Sequence, residues 1–225
     1  MDTVRDILLV LIPMLLSLTV HEYWHARSAL WLGDDTASMQ GRLTLNPVAH
    51  IDLFGTILLP ILFVWSNSNF FFGWAKPVPV NPVRFNRRFN GRRVTMSTGM
   101  MITAAAGPLS NLGFGFLAAG ALKLALVLGI ESEATLVILA RLLMVNYGLA
   151  IFNLIPLPPL DGSKVLAGFL PRKAQGWFDY LEGNTFVSFI LLIALLKTGI
   201  LGKIMWPVLD VLFSVTDAIF NLPLM

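Results

Sequence analysis

Long apolar runs alternate with short polar ones along this chain. Residues 4–20 are almost purely apolar and continue through Val20-His21-Glu22-Tyr23-Trp24-His25. Together they predict one helix of about 25 residues ending near Leu32-Gly33. Residues 33–51 are polar and punctuated by Gly, Asn and Pro. Within them Ser38-Met39-Gln40-Gly41-Arg42-Leu43-Thr44-Leu45 alternates as a strand pair or hairpin would. Residues 53–65 are apolar but only 13 long and broken by Gly55 and Pro60, a length suited to a re-entrant or interfacial hairpin rather than a crossing. Phe70, Phe71, Phe72 and Trp74 then read as an aromatic belt at headgroup level. Lys76-Pro77-Val78-Pro79-Val80-Asn81-Pro82 reads as extended chain, because each proline fixes φ and pushes its predecessor out of the helical region.

Two long spans follow, within residues 96–128 and 134–155, joined by the acidic Glu131-Ser132-Glu133. The second ends in Asn153-Leu154-Ile155-Pro156-Leu157-Pro158-Pro159-Leu160-Asp161-Gly162. Its prolines unwind the helix, and broken backbone at membrane depth is tolerated only where it lines protein or a water cavity, so Asp161 should face inward. The apolar runs 184–196 and 200–222 predict a further helical hairpin, the first run being short for a crossing.

Composition fixes the class. The 225 residues are 56% hydrophobic and 13% charged, with mean hydropathy +0.74, whereas soluble domains carry roughly 25% charged residues. The expectation is an all-α polytopic membrane protein forming one domain over residues 1–225. It has a three-span catalytic core (about 1–170), a re-entrant hairpin or short β element, and additional helices at 184–222. A removable signal peptide competes for the first run, but no small-residue cleavage pattern follows it. With no Cys, neither disulfides nor thiolate metal sites are available. A net charge of +3 is too small to argue for nucleic acid. The cluster Arg84, Arg87, Arg88, Arg92 and Arg93 instead marks a cytoplasmic segment by the positive-inside rule.

The chemistry lies in the first helix. His21 and His25 are four apart, so both imidazoles project from one face, with Glu22 beside them. Two neutral imidazoles and a carboxylate suit zinc, with water in the fourth position and Glu22 able to take its proton. Ionisable groups at membrane depth are costly, which argues that these are functional. Asp161 reads either as the third ligand or as a turn residue capping a helix from Ser163. His50 reads as a further ligand or, more simply, as a hydrogen-bonded histidine. The small residues from Ala104 to Gly115 permit close helix approach, and Asn111 among them could serve an interhelical hydrogen bond or contact substrate. A di-iron oxidase or desaturase would need about eight histidines, against three here. A non-catalytic transporter or scaffold with a structural metal site would also use broken helices.

His21-Glu22-Tyr23-Trp24-His25 paired with the Asn153–Gly162 stretch resembles the site-two protease family of intramembrane zinc metalloproteases. Ala106-Gly107-Pro108-Leu109-Ser110-Asn111 and Phe72-Gly73-Trp74-Ala75-Lys76-Pro77-Val78-Pro79-Val80-Asn81-Pro82 resemble its short bacterial branch, which lacks PDZ and CBS domains. The resemblance implies one zinc ion per chain held by His21, His25 and Asp161. It implies Glu22 as general base, and Asn111 and Asn153 holding the substrate strand. The implied setting is a multi-pass protein of the cell membrane with its site toward the cytoplasmic face. The implied partners are the bilayer and a membrane protein carrying a transmembrane segment, with no nucleic acid and a homo-oligomer left open. Charge agrees with this orientation: residues 26–95 carry Arg27, Arg42, Lys76 and the arginine cluster, while the loop at 129–134 has no Lys or Arg. An unwound substrate is expected to dock on the hairpin within Gly33–Ile51 by main-chain pairing.

Overall fold

The computed structural model describes residues 2–66 and 73–222. Phe70, Phe71 and Phe72 of the expected aromatic belt lie outside the described residues. The chain opens with α1 (Asp2–Leu32), followed by the single-turn α2 (Thr36–Met39), a 3-10 turn (Pro47–His50) and a π-helical turn (Leu53–Leu58) that runs into α3 (Leu59–Trp65). After an extended stretch come a 3-10 turn (Pro82–Arg84) and a two-stranded antiparallel ribbon, β1 (Arg88–Phe89) and β2 (Arg92–Arg93). The remainder is helical: α4 (Met96–Val127), α5 (Glu133–Asn153), α6 (Asp161–Phe169), α7 (Arg172–Gly183), α8 (Thr185–Lys197) and α9 (Ile200–Phe220).

Among the described residues, α1, α4 and α5 contain the helices long and apolar enough to cross a membrane. They pack on one another as the three-span core, and the protein is an all-α polytopic membrane protein. Two of the spans begin with side-chain caps: Thr95 accepts the N–H of Thr98 for α4, and Ser132 accepts that of Thr135 for α5. Small side chains let the spans approach, with Ala26 and Ala29 on α1, Ala104, Ala118 and Ala119 on α4, and Ala150 on α5 all buried. Leu117, Val127 and Met144 point outward, as a lipid-facing surface requires, since hydrocarbon tails impose no penalty on exposed apolar side chains.

The polar stretch 33–51 differs from expectation. Residues 38–45 form no strand; α2 and a turn stand there instead, so no strand edge offers itself for docking. The cause is a local side-chain competitor for the backbone. Asp34, fully buried, accepts the Thr36 N–H and hydroxyl through Oδ1, and through Oδ2 the N–H of Asn81 at 2.6 Å. That carboxylate curls the chain into α2 and ties it to the extended segment. Arg42 Nη2 donates to the Lys76 carbonyl at 2.6 Å, and the Lys76 N–H donates to the His50 carbonyl. The β element appears at 88–93, where Asn90 and Gly91 both adopt positive φ (49° and 76°), as a two-residue type I′ hairpin loop demands. At the C-terminal side α8 and α9 meet at a bend of 71°. Leu209, Leu212 and Phe213 of α9 pack on the cluster formed by Ala118, Leu122, Leu143 and Tyr147.

Candidate metal centre

One face of α1 brings His21 and His25 to the seam with α4, and the non-helical turn between α5 and α6 brings Asp161 opposite them. His21 Nε2 lies 2.9 Å from His25 Nε2, and Asp161 Oδ2 lies 3.1 Å from the first and 3.3 Å from the second. Asp161 is the first residue of α6; the N-cap is Leu160 and makes no side-chain cap. The capping role considered for Asp161 is therefore not seen, and its carboxylate turns to the imidazoles instead. Gly162 permits this placement, since a Cβ there would collide with the carbonyl oxygens of Leu154 and Ile155. The start of α6 is thereby seated against the end of α5.

Both imidazoles are held in a defined tautomer by acceptors that have no proton to offer. His25 Nδ1 donates to the Thr103 carbonyl at 2.7 Å. His21 Nδ1 donates to Asn111 Oδ1 at 2.6 Å, and the orientation of that amide is set in turn by Asn111 Nδ2, which donates to the Ser17 carbonyl at 3.0 Å and to Asn146 Oδ1 at 2.7 Å. Asn146 Nδ2 completes the chain by donating to Ser17 Oγ and the Leu142 carbonyl, each at 2.8 Å. With Nδ1 protonated on both rings, each neutral imidazole presents its Nε2 lone pair to the same point.

Three lone-pair donors thus converge where nothing but a cation satisfies them together. Tetrahedral zinc with bonds of about 2.0–2.1 Å requires ligand atoms roughly 3.3 Å apart, and the observed triangle of 2.9, 3.1 and 3.3 Å matches to within a few tenths of an ångström. Gly107 of α4 closes the back of this site: a Cβ there would stand 2.5 Å from both Cε1 and Nε2 of His25 and 2.8 Å from Cε1 of His21.

Glu22 is buried beside the histidines, and the candidate ligand atoms of His21, Glu22 and His25 all lie within 4.8 Å of one another. Its Oε2 accepts the Val78 N–H at 2.8 Å, so the Pro-rich extended segment reaches the site through one backbone amide. Asn111 is fully buried behind His21, with its acceptor and its donors committed to protein atoms. Asn153 ends α5, partly buried, and donates to the Leu149 carbonyl at 2.9 Å; no bond joins it to His21, His25 or Asp161 among the described residues. His50 is buried in its 3-10 turn and bonds the Thr44 carbonyl at 2.9 Å through Nε2. Ser17, Thr103, Val78, Gly107 and Asn146 were not anticipated. Ser17 and Asn146, polar residues inside apolar spans, carried a readable signal; Val78 and Thr103 act through backbone atoms and carried none.

The chain is 35% identical over 219 residues to a Bacillus subtilis protein named "Putative zinc metalloprotease YwhC", covering 93% of this chain and 91% of that one. It is 26% identical over 211 residues to "Putative zinc metalloprotease Rip2" of Mycolicibacterium smegmatis, covering 90% of this chain and 74% of the relative. A Mycobacterium tuberculosis protein of the same name is 29% identical over 180 residues, covering 74% and 59%. No protein-family model matches the chain, and no solved structure does.

Proposed function

Because the chain belongs to the site-two protease family, we propose that it is a zinc endopeptidase that hydrolyses peptide bonds of membrane proteins within or near their transmembrane segments. The observation that carries this reading is the convergence of two tautomer-locked imidazoles and one carboxylate on a single point, with both imidazoles inside a helix apolar and long enough to cross a membrane. His21, His25 and Asp161 would hold the ion. Bound there, zinc supplies a Lewis acid that lowers the pKa of a coordinated water to about 7.

The remaining chemistry belongs to the chain. Glu22 is the general base. The Val78 N–H holds Oε2 and leaves Oε1 to take a proton from the attacking water; the same carboxyl then returns that proton to the leaving amine as the C–N bond breaks. Asn111 is assigned to orienting His21 rather than to touching substrate, since every polar atom of its side chain is engaged. Asn153, at the broken end of α5, is the residue left to hold the substrate main chain.

Orientation follows from charge. The basic residues Arg27, Arg42, Arg84, Arg87, Arg88, Arg92 and Arg93 gather at the end of α1 and ahead of α4, which supports an orientation with that end, and the metal centre near it, toward the cytoplasm of a cell membrane. Water would reach the site from the same side, and the substrate would arrive through the bilayer. Zinc analysis of the purified chain, followed by cleavage of a membrane-embedded peptide with and without chelator, tests the assignment. Zinc near one equivalent and chelator-sensitive cleavage are expected. A metal-loaded protein that cuts no membrane peptide would instead favour a structural metal in a non-catalytic protein.

A further inference from the structure

A cavity of about 630 Å³ lies between α1, α5 and the α8–α9 bend. On α1 it runs from Val10 through Met14 to Leu18, three residues short of His21, and on α5 from Arg141 to Phe152, next to Asn153. It therefore leads along the two catalytic spans toward the metal centre. All its lining is apolar, glycine or proline except Arg141. The Nη1 of Arg141 is enclosed and has no hydrogen-bond partner, and no ion pair joins the side chain to any described residue, including Asp210 and Asp217 of the neighbouring α9. Arg141 sits eight residues into α5, about 12 Å below its outer end, too deep for lipid phosphates, which stay at the interface.

A guanidinium with one nitrogen enclosed and unpaired in an apolar wall is best compensated by an anionic group. Resting on the protease reading above, we propose that Arg141 binds an acidic side chain of the substrate's transmembrane segment and uses it to set the position of the cut. Complementarity names the ligand chemistry: the fork of guanidinium donors fits a carboxylate, and an Asp or Glu at membrane depth gains by leaving hydrocarbon for an arginine. The distance sets the register. Arg141 precedes Asn146 by five residues, about 7–8 Å of helix rise, and Val10 precedes His21 by eleven, about 16 Å. An unwound strand covers that interval in roughly two to five residues. The acidic residue thus lies about that far from the scissile bond, on the side away from the cytoplasm.

The test uses the full zinc-loaded chain in phosphatidylcholine vesicles with leucine/alanine peptides of about 20 residues carrying one Glu, or Gln, at successive positions. Wild type should cleave Glu peptides at least tenfold better than Gln peptides in kcat/KM, and shifting the Glu by one residue should shift the cut by one. Arg141→Gln should bring the ratio to about one, Arg141→Lys should keep most of it, and Arg141→Glu should transfer the preference to a Lys peptide. Binding of the same peptides to Glu22→Gln, read by fluorescence quenching, separates this inference from the enzymatic one. Glu-selective binding without cleavage by wild type would sink the protease reading and leave the site standing. Cleavage or binding equal for Glu and Gln peptides, or absent for both, would overturn it. So would occupancy that depends on phosphatidylglycerol and ignores the Glu, since the cavity would then belong to lipid.

Discussion

Behind the imidazoles, Ser17, Asn111 and Asn146 form a closed hydrogen-bonded chain that ends on His21 Nδ1, and all three are fully buried. Along the cavity, on the same α5 five residues earlier, Arg141 Nη1 is enclosed and meets no acceptor. The two regions share two spans and an apolar setting, yet one spends its polar groups on the protein and the other holds one in reserve. Polar groups satisfied internally orient something already present; a polar group left unsatisfied at membrane depth costs stability, and is sustained by what it binds. The comparison predicts that changes on the paired side act on metal and turnover, while changes at Arg141 act on which substrate is chosen.

The largest effects should come from the metal centre. Chelator treatment, His25→Ala or Asp161→Ala should remove zinc and cleavage together, measured by elemental analysis and peptide hydrolysis. Glu22→Gln should lower kcat about 10²–10⁴-fold while zinc stays near the wild-type content. Equal zinc loss in Glu22→Gln would make Glu22 a ligand rather than a base, a role its 4.8 Å grouping with the histidines allows on distance alone.

Gly107→Ala comes next. The added methyl would stand 2.5 Å from the His25 ring, so the imidazole or α4 must yield by the better part of an ångström. Displacements of that size at a catalytic constellation cost on the order of 10²-fold. The expected result is a comparable fall in kcat with weakened zinc retention. Unchanged zinc and kcat would show that α4 is not braced against the rings.

How much of this was legible in the sequence depends on where the information resides. The spans, the broken end of α5 and the HExxH spacing follow from hydrophobic runs, proline chemistry and helical periodicity, all local properties of the chain. The strand expected at 38–45 did not form because the Asp34 carboxylate takes the Thr36 N–H and hydroxyl and starts α2; what holds Asp34 there is its bond to Asn81 across 47 residues, a contact that no window of alternating residues contains. The ribbon at 88–93 was signalled by Asn90-Gly91 but sat among arginines that read more loudly as topology. For Asn111 the residue type suggested polarity at depth, yet its partners on α1 and α5 decide that it faces His21. The proline-broken helix end argued only that Asp161 faces inward; packing of Gly162 on the end of α5 decides where it points.

Asn111→Leu tests the paired side one step from the metal. Removing the acceptor frees His21 Nδ1 and its tautomer, and loss of such an outer partner typically costs 10–100-fold in metal affinity. Competition with a zinc-binding dye should show that shift, while preference between Glu and Gln peptides stays as in wild type. A changed peptide preference would place Asn111 at the substrate after all and blur the division between the two regions.

The smallest effect is also the one that most sharpens the division, because the two sides should respond with opposite sign. Asn146→Leu strands one buried Asn111 N–H and removes the donor to Ser17 Oγ, which costs about 1 kcal/mol or somewhat more. For a chain of this size that lowers the thermal midpoint by about 2–4 °C. Arg141→Met keeps the volume and the apolar surroundings but removes an uncompensated charge whose insertion into hydrocarbon costs roughly 2.5–3.5 kcal/mol on translocon scales. Even with part of that recovered by a flexible side chain, the midpoint should rise rather than fall. If Arg141→Met lowered it, the guanidinium would have a stabilising partner in the resting protein, and the cavity would lose its claim to be waiting for a ligand.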